Sequence, residues 1–295
     1  MANEFIVKNG IGIGSTGIFA HGISGETGLT PSSDNIIPTQ RAVKSYVDAY
    51  SAGNYDTKTI HVSLDGVDSA DTNGMPNNPY RTLVYALSQI TDNSSTNRYV
   101  IKIGPGIYVE NNPITMKEYV TVVGLDSEIV TRISAQNATS NIFNMVSHTA
   151  IENLTLYGTT TGYAVSHTST LDCILRNISF FQCGYGVLLN NASATMDIMN
   201  LSAINVSGTM AEGVVVQAGN MVLDNYRILA STTATRTLYV TGSDSIFTMR
   251  GYISFSPNVV TAQSYGDSSR SIVTSSNIVF ATDSYIVDGG GKVSS

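Results

Sequence analysis

Residues 152–205 read ENLTLYGTTTGYAVSHTSTLDCILRNISFFQCGYGVLLNNASATMDIMNLSAIN. Three near-copies of one pattern lie in this stretch: ENLTLYG, RNISFFQ and MNLSAIN, each an asparagine followed by alternating apolar and polar residues. The pattern continues downstream as DNYRILA, RGYISFS and SNIVFAT, so that the anchor positions are Asn153, Asn177, Asn200, Asn225, Gly251 and Asn277, at intervals of 24, 23, 25, 26 and 26. Each anchor opens a short strand: Leu154 and Leu156, Ile178 and Phe180, Leu201 and Ala203, Tyr226 and Ile228, Tyr252 and Ile253, Ile278 and Phe280. A second series (YAVSHTS, YGVLLNN, GVVVQAG, TLYVTGS) and a third (IFNMV, TLDCIL, ATMDIM, NMVLD, SIFTM, SIVTS) interleave with the first.

Self-similarity at this period marks a solenoid. The units hold strands and turns with no helical segment, which excludes the helical repeat families. About three short strands per period suits one coil of a parallel β-helix, in which coils stack because none can bury its apolar residues alone. The recurring asparagine has two uses there. It tolerates left-handed backbone angles at a bend, and stacked copies can hydrogen-bond as an amide ladder. A generic turn without any ladder is the alternative.

Residues 1–37 are rich in glycine, with isolated Ile6, Ile11, Ile13 and Ile18, and read as an extended arm with short strands. In PTQRAVKSYVDAY, Val43, Tyr46, Val47 and Tyr50 form one helical stripe after Thr39, a suitable N-cap. A helix this short is marginal alone, so the stripe is expected to pack on copies of itself, within a segment spanning 38–55, or to dock on the β domain. From residue 56 to 295 the chain reads as the β-helix. It opens with the strand TIHVSLDG (Ile60, Val62 and Leu64 on one face), a capping helix at 79–91 burying Leu83, Ala86, Leu87 and Ile90, and the strands of RYVIKIGPGIYVE and YVTVVG.

Residues TIHVSLDGVDSADTNGMPNNPYRTLVYALSQI and YVIKIGPGIYVENNPITMKEYVTVVG resemble the opening of pectate-lyase-like proteins. That resemblance implies a single-stranded right-handed parallel β-helix, an all-β fold with short N-terminal helices and an extended arm. NEFIVKNGIGIGS together with Pro38, Thr39, Ala42, Val43, Tyr46, Val47 and Asp48 is similar to the amino-terminal regions of phage tail-fibre and virion structural proteins. This second resemblance implies a homotrimer in the virion, assembled in the host cytoplasm, with residues 1–37 bound to other virion proteins and the β-helices outward.

The chain of 295 residues has a formal net charge of −7 with 13% charged residues, against ~25% in average globular proteins. No basic run exists, which argues against nucleic acid as a partner. No apolar stretch approaches the ~20 residues of a membrane-spanning helix, and MANEFIVKNG lacks the pattern of a signal peptide. No cofactor is expected. Cys173 and Cys183 read as buried small hydrophobes rather than a bridge.

Cleavage of a glycosidic bond needs two carboxylates. Asp172, Asp197 and Asp224 are the candidates, at intervals of 25 and 27 that suggest stacking on one face; turn-capping by aspartate is the plainer reading. Asp65, Asp68 and Asp71 sit in a loop that could hold Ca²⁺ but lacks EF-hand spacing, so a hydrogen-bonded turn is favoured. Tyr157, Tyr163, Tyr185, Tyr226, Tyr239 and Tyr252 are candidates for a sugar-binding face, some of them being core residues instead. The expected function is structural, as a trimeric fibre or spike of a bacteriophage particle anchored by its amino terminus, with host surface polysaccharide as a candidate ligand. The alternatives are a polysaccharide depolymerase on the same fold, and a capsid or neck decoration protein without receptor binding.

Overall fold

The computed structural model describes residues 11–13, 18–20, 22–24, 36–40, 43–44, 58–127, 130–204, 210–229, 234–240, 245–255, 264–265, 272–276, 286–287 and 292–294. The chain divides into two compact units, Met1–Thr57 and Lys58–Ser295. In the first, Ile11–Ile13 pairs antiparallel with Ile18–Ala20, and Gly22–Ser24 pairs parallel with Ile36–Pro38. The helix expected after Pro38 begins where Thr39 places it: Gln40, Val43 and Lys44 are helical and the Val43 amide donates to the Thr39 carbonyl at 3.0 Å. Val43 is 41% exposed. Tyr46, Val47 and Tyr50 lie outside the described residues.

The second unit is an all-β parallel solenoid with one short helix. Each coil contributes a strand to three parallel sheets in turn. The first sheet stacks 59–62, 99–103, 120–124, 150–152, 172–176, 195–199 and 220–224. The second stacks 106–110, 131–135, 155–157, 178–181 and 201–204. The third stacks 114–115, 143–145, 163–167, 185–189, 212–216 and 236–240. Further parallel strands at 245–255, 264–265, 272–276, 286–287 and 292–294 continue the array.

The core follows from this register. On the first sheet Ile60, Ile101, Val122, Ile151, Leu175, Ile198 and Leu223 stack in one buried row. Tyr108, Ile133, Leu156, Phe180 and Ala203 do so on the second, and Ile114, Phe143, Val165, Val187, Val214 and Leu238 on the third. Each buried aliphatic contributes roughly 1.5–3 kcal/mol, and only with a coil above and below it. Cys173 and Cys183 are unbridged and buried, and burial pushes both thiols well above their ordinary range.

Both uses of the recurring asparagine occur together. Asn153, Asn177, Asn200 and Asn225 turn from the first sheet into the second with φ of 56°, 51°, 58° and 60°. The Asn177 Nδ2 donates to Asn153 Oδ1 at 2.8 Å, Asn200 Nδ2 to Asn177 Oδ1 at 2.8 Å, and Asn225 Nδ2 to Asn200 Oδ1 at 2.9 Å. Gly124 occupies the corner one coil earlier, where a Cβ would lie 2.1 Å from the Asn153 carbonyl oxygen. Beyond Asn225 the register slips: Asp224 pairs with Arg250 but Tyr226 with Ile253, so Gly251 and Tyr252 together oppose one asparagine. Ile253, not Tyr252, therefore takes the position equivalent to Tyr226. Asn277 lies outside the described residues.

The amino-terminal end is closed by helix α1, Leu83–Gln89. It starts four residues later than the expected 79–91 because Tyr80 is held extended against the first strand. The Tyr80 amide donates to the His61 carbonyl at 3.0 Å and the Ser63 amide to the Tyr80 carbonyl at 2.9 Å. That strand stops at Val62, and Leu64 is exposed rather than sharing its buried face, since Ser63 and Gly66 form a turn. The expected apolar side of the helix, Leu83, Ala86, Leu87 and Ile90, is buried. Thr82 caps the helix by accepting from the Tyr85 amide. The buried Glu110 accepts from the Leu83 and Val84 amides at 2.7 and 3.2 Å. Burial pushes its carboxyl above the usual range, against the opposing pull of those two bonds.

Candidate functional site: the two outward flanks

The first sheet faces outward with the acids. Asp172, Asp197 and Asp224 all lie on this sheet, but they do not stack. Asp172 pairs with Thr195, Asp197 with Ile174 and Val222, and Asp224 with Met199. Each aspartate is thus offset by two residues from the one in the neighbouring coil, a diagonal step on the order of 8 Å rather than one strand spacing. The expected stacking fails because the local coil length is 23 residues at Asp172, not 25. Asp172 Oδ1 lies 2.6 Å from His148 Nδ1 of the preceding coil. The His148 ring stacks on Tyr119 at 5.0 Å, and Arg98 lies 5.4 Å from the Tyr119 ring centre. Nearby, Glu152 Oε1 and Arg176 Nη1 form an ion pair at 2.5 Å.

The acidic loop is a helix-positioning turn. Asp68 Oδ1 accepts from the Arg81 and Thr82 amides at 2.8 and 3.2 Å, and its Oδ2 from the Thr82 hydroxyl at 2.7 Å. The Asp71 carbonyl accepts from Asn78 Nδ2, and the Asp65 amide donates to Ser63 Oγ at 3.4 Å. Among the described residues no group of three or more His, Cys, Asp or Glu side chains is arranged to hold a metal ion.

The second sheet faces outward differently. In register across successive coils run Arg132, Thr155, Ser179, Ser202 and Arg227, a hydroxyl row with an arginine at either end. Thr155, Ser179 and Ser202 are nearly covered, and the Ser179 and Ser202 hydroxyls lie 2.6 Å apart. Beside this row Tyr157, Phe181 and Ile204 form an apolar stripe. The Tyr157 and Phe181 rings stack at 5.6 Å and 22°, and the Tyr157 hydroxyl donates to Gln182 Oε1 at 2.8 Å. The Arg132 guanidinium lies over the Tyr157 ring, 4.6 Å from its centre. Ile107 and Val109 continue the flank toward the capped end and are exposed. No outward position of this sheet carries an acid among the described residues.

Of the other tyrosines, Tyr163 and Tyr185 lie on the third sheet with ring centres 5.1 Å apart, and the Tyr163 hydroxyl donates to Glu212 Oε2 at 3.1 Å. Tyr239 pairs with Val215 on that sheet. Tyr226 is fully buried, so it belongs to the core and not to a binding face, and burial raises its hydroxyl far above its ordinary range. The side chain of Tyr252 lies outside the described residues. Sequence reasoning missed Arg132, Phe181, His148 and Glu110. The stripe was readable in principle: aligned on their asparagines, ENLTLYG, RNISFFQ and MNLSAIN put Tyr157, Phe181 and Ile204 in one column.

No family model matches the chain, and no curated protein matches its sequence. Solved structures do. Pectin methylesterase PemA from Erwinia chrysanthemi aligns over 79% of this chain and 92% of its own, at 11% identity and a TM-score of 0.50. Pectin methylesterase from carrot aligns over 80% and 88%, at 15% identity and a TM-score of 0.49. At such identity the likeness to PemA bears on architecture alone, and with the parallel ladders above it supports a right-handed β-helix as the fold of this chain.

Proposed function

We propose that the chain is an adhesive structural component of a bacteriophage particle that binds host surface polysaccharide along the outward flank of its second sheet. The observation that carries the adhesive part is the stacked, half-buried Tyr157 and Phe181 pair with the Arg132 guanidinium against it. Both faces of the Tyr157 ring are taken, by Phe181 and by the Arg132 guanidinium; the half-buried stack offers a sugar its apolar ring edges, with the guanidinium beside them as a donor. The particle part rests on the resemblance carried by Pro38, Thr39, Ala42, Val43, Tyr46, Val47 and Asp48. The exposed Val43 on a short helix fits association of three copies, with residues 1–37 bound to other virion proteins. An electron-microscopy map of the particle with this chain labelled tests the location. Density at a fibre or spike, tip outward, is expected; a chain absent from purified particles overturns the reading.

A second reading, a polysaccharide-modifying enzyme, is favoured by the fold shared with the pectin methylesterases and by the His148–Asp172 pair. A carboxylate on Nδ1 holds the imidazole so that Nε2 is available as a base. Release of soluble product from host polysaccharide, abolished in His148→Gln, would establish it and displace the adhesive role.

A further inference from the structure

Arg132 differs from the other arginines whose surroundings are described. Arg176 is neutralised by Glu152, Arg81 Nη1 donates to the Leu64 carbonyl at 2.9 Å, and Arg98 Nε donates to the Ser95 carbonyl at 3.3 Å. Arg227 stands exposed, where water serves it. Arg132 is half-buried, and its Nε is buried with no hydrogen-bond partner. Its guanidinium makes no hydrogen bond or ion pair to any described residue; its position is set by the Tyr157 ring beneath it. A ring face orients a guanidinium without neutralising it. The result is an oriented cation with no counter-charge among the described residues, in a chain whose net charge is −7.

We infer that Arg132 is an oxyanion site, and that the polysaccharide taken by this flank is anionic, bearing sugar carboxylates or sulfate or phosphate esters. The planar fork of a guanidinium matches these groups with two parallel N–H bonds. The row that starts at Arg132 runs past Thr155, Ser179 and Ser202 to Arg227, about 19 Å away at four strand spacings. A linear anionic chain lying along the solenoid meets cations at both ends, with the edge of the Tyr157–Phe181 stack alongside. The first sheet carries acids at Glu152, Asp172, Asp197 and Asp224, where the second carries none at its outward positions among the described residues. This inference rests on the adhesive part of the proposed function and not on the particle.

The test uses the full chain and calorimetric titration with three probes: alginate oligosaccharides (carboxylate), dextran sulfate (ester) and dextran (neutral). Expected are binding of alginate or dextran sulfate that weakens as salt rises, and dextran at least about tenfold weaker. Arg132→Gln should lower affinity for the anionic probe about tenfold, Arg132→Lys should recover part of it, and Arg176→Gln should leave it unchanged. Whichever anionic probe binds more tightly identifies carboxylate or ester. Matching melting curves establish that the variants fold; if Arg132→Gln does not, Arg132→Lys carries the comparison. Equal binding of dextran, or no effect at Arg132, overturns the anionic site while leaving adhesion standing. No binding of any of these probes or of host polysaccharide overturns adhesion itself. Self-association that disappears in Arg132→Gln, seen by light scattering, makes the flank an interface between copies and overturns the inference.

Discussion

On either side of the asparagine corner, two flanks share one core and treat charge in opposite ways. The first sheet joins Asp172 to His148 and Glu152 to Arg176 across neighbouring coils. The second leaves Arg132 over a ring with no counter-charge among the described residues. In a solenoid the inward rows are fixed by burial, whereas outward rows carry no such demand. Charges paired across coils contribute to register, and unpaired groups remain available to a ligand. The contrast teaches that adjacent faces of one β-helix can carry opposite charge arrangements; under the adhesive proposal, the paired face serves register and the other serves recognition.

The corner itself is the most sensitive place to break this division. Asn177→Ala removes the bonds to Asn153 and from Asn200 and places a Cβ residue without a local amide partner at φ 51°. The expected loss is about 3 kcal/mol, roughly 1 for each amide bond and 1 for the left-handed backbone. Asn177→Gly should lose less, because glycine adopts that angle at no steric cost. Urea unfolding of the pair separates the ladder from the backbone requirement, and equal losses would contradict that partition.

Glu110 sharpens the comparison from the capped end, because its charge is neither paired nor offered to solvent. Burial raises its folded-state value above 4.5, so the folded chain holds this proton more tightly than the unfolded chain. Its contribution to stability is therefore fully present below the ordinary carboxylate range and is lost as pH rises through the raised value. As pH rises from about 4.5 to neutrality, stability should fall more steeply in the wild type than in Glu110→Gln. Parallel pH profiles would contradict a raised value.

The smallest effect is expected on the paired flank. Arg176→Gln should cost under about 1 kcal/mol, because the pair with Glu152 is partly exposed and screened by solvent. A much larger loss would mean that this flank is held together by its charges.

Much of the fold was legible in the sequence, for identifiable reasons. Burial repeats once per coil, so the rows through Leu154, Ile178 and Leu201 and through Leu156, Phe180 and Ala203 are visible as a period. The left-handed corner requires a residue type that tolerates it, so asparagine marks it. The helix face of Leu83, Ala86, Leu87 and Ile90 is local. The outward sites were not legible, because they depend on register between coils of unequal length. A single residue of difference decides whether Asp172 faces Thr195 or its neighbour. Arg132 was hidden for another reason: its coil turns at Gly124 and a longer loop, so no asparagine aligns it with Thr155. Glu110 reaches the amides of Leu83 and Val84 from a strand on the next coil, a contact that no local pattern signals.

A crystal structure of the chain with a bound alginate oligosaccharide tests the adhesive account most directly. The account places the sugar chain along the second sheet, a carboxylate on the Arg132 guanidinium and a ring against Tyr157 or Phe181. A ligand seated instead beside Asp172 and Asp197 on the first sheet, or against Tyr163 and Glu212 on the third, would contradict it.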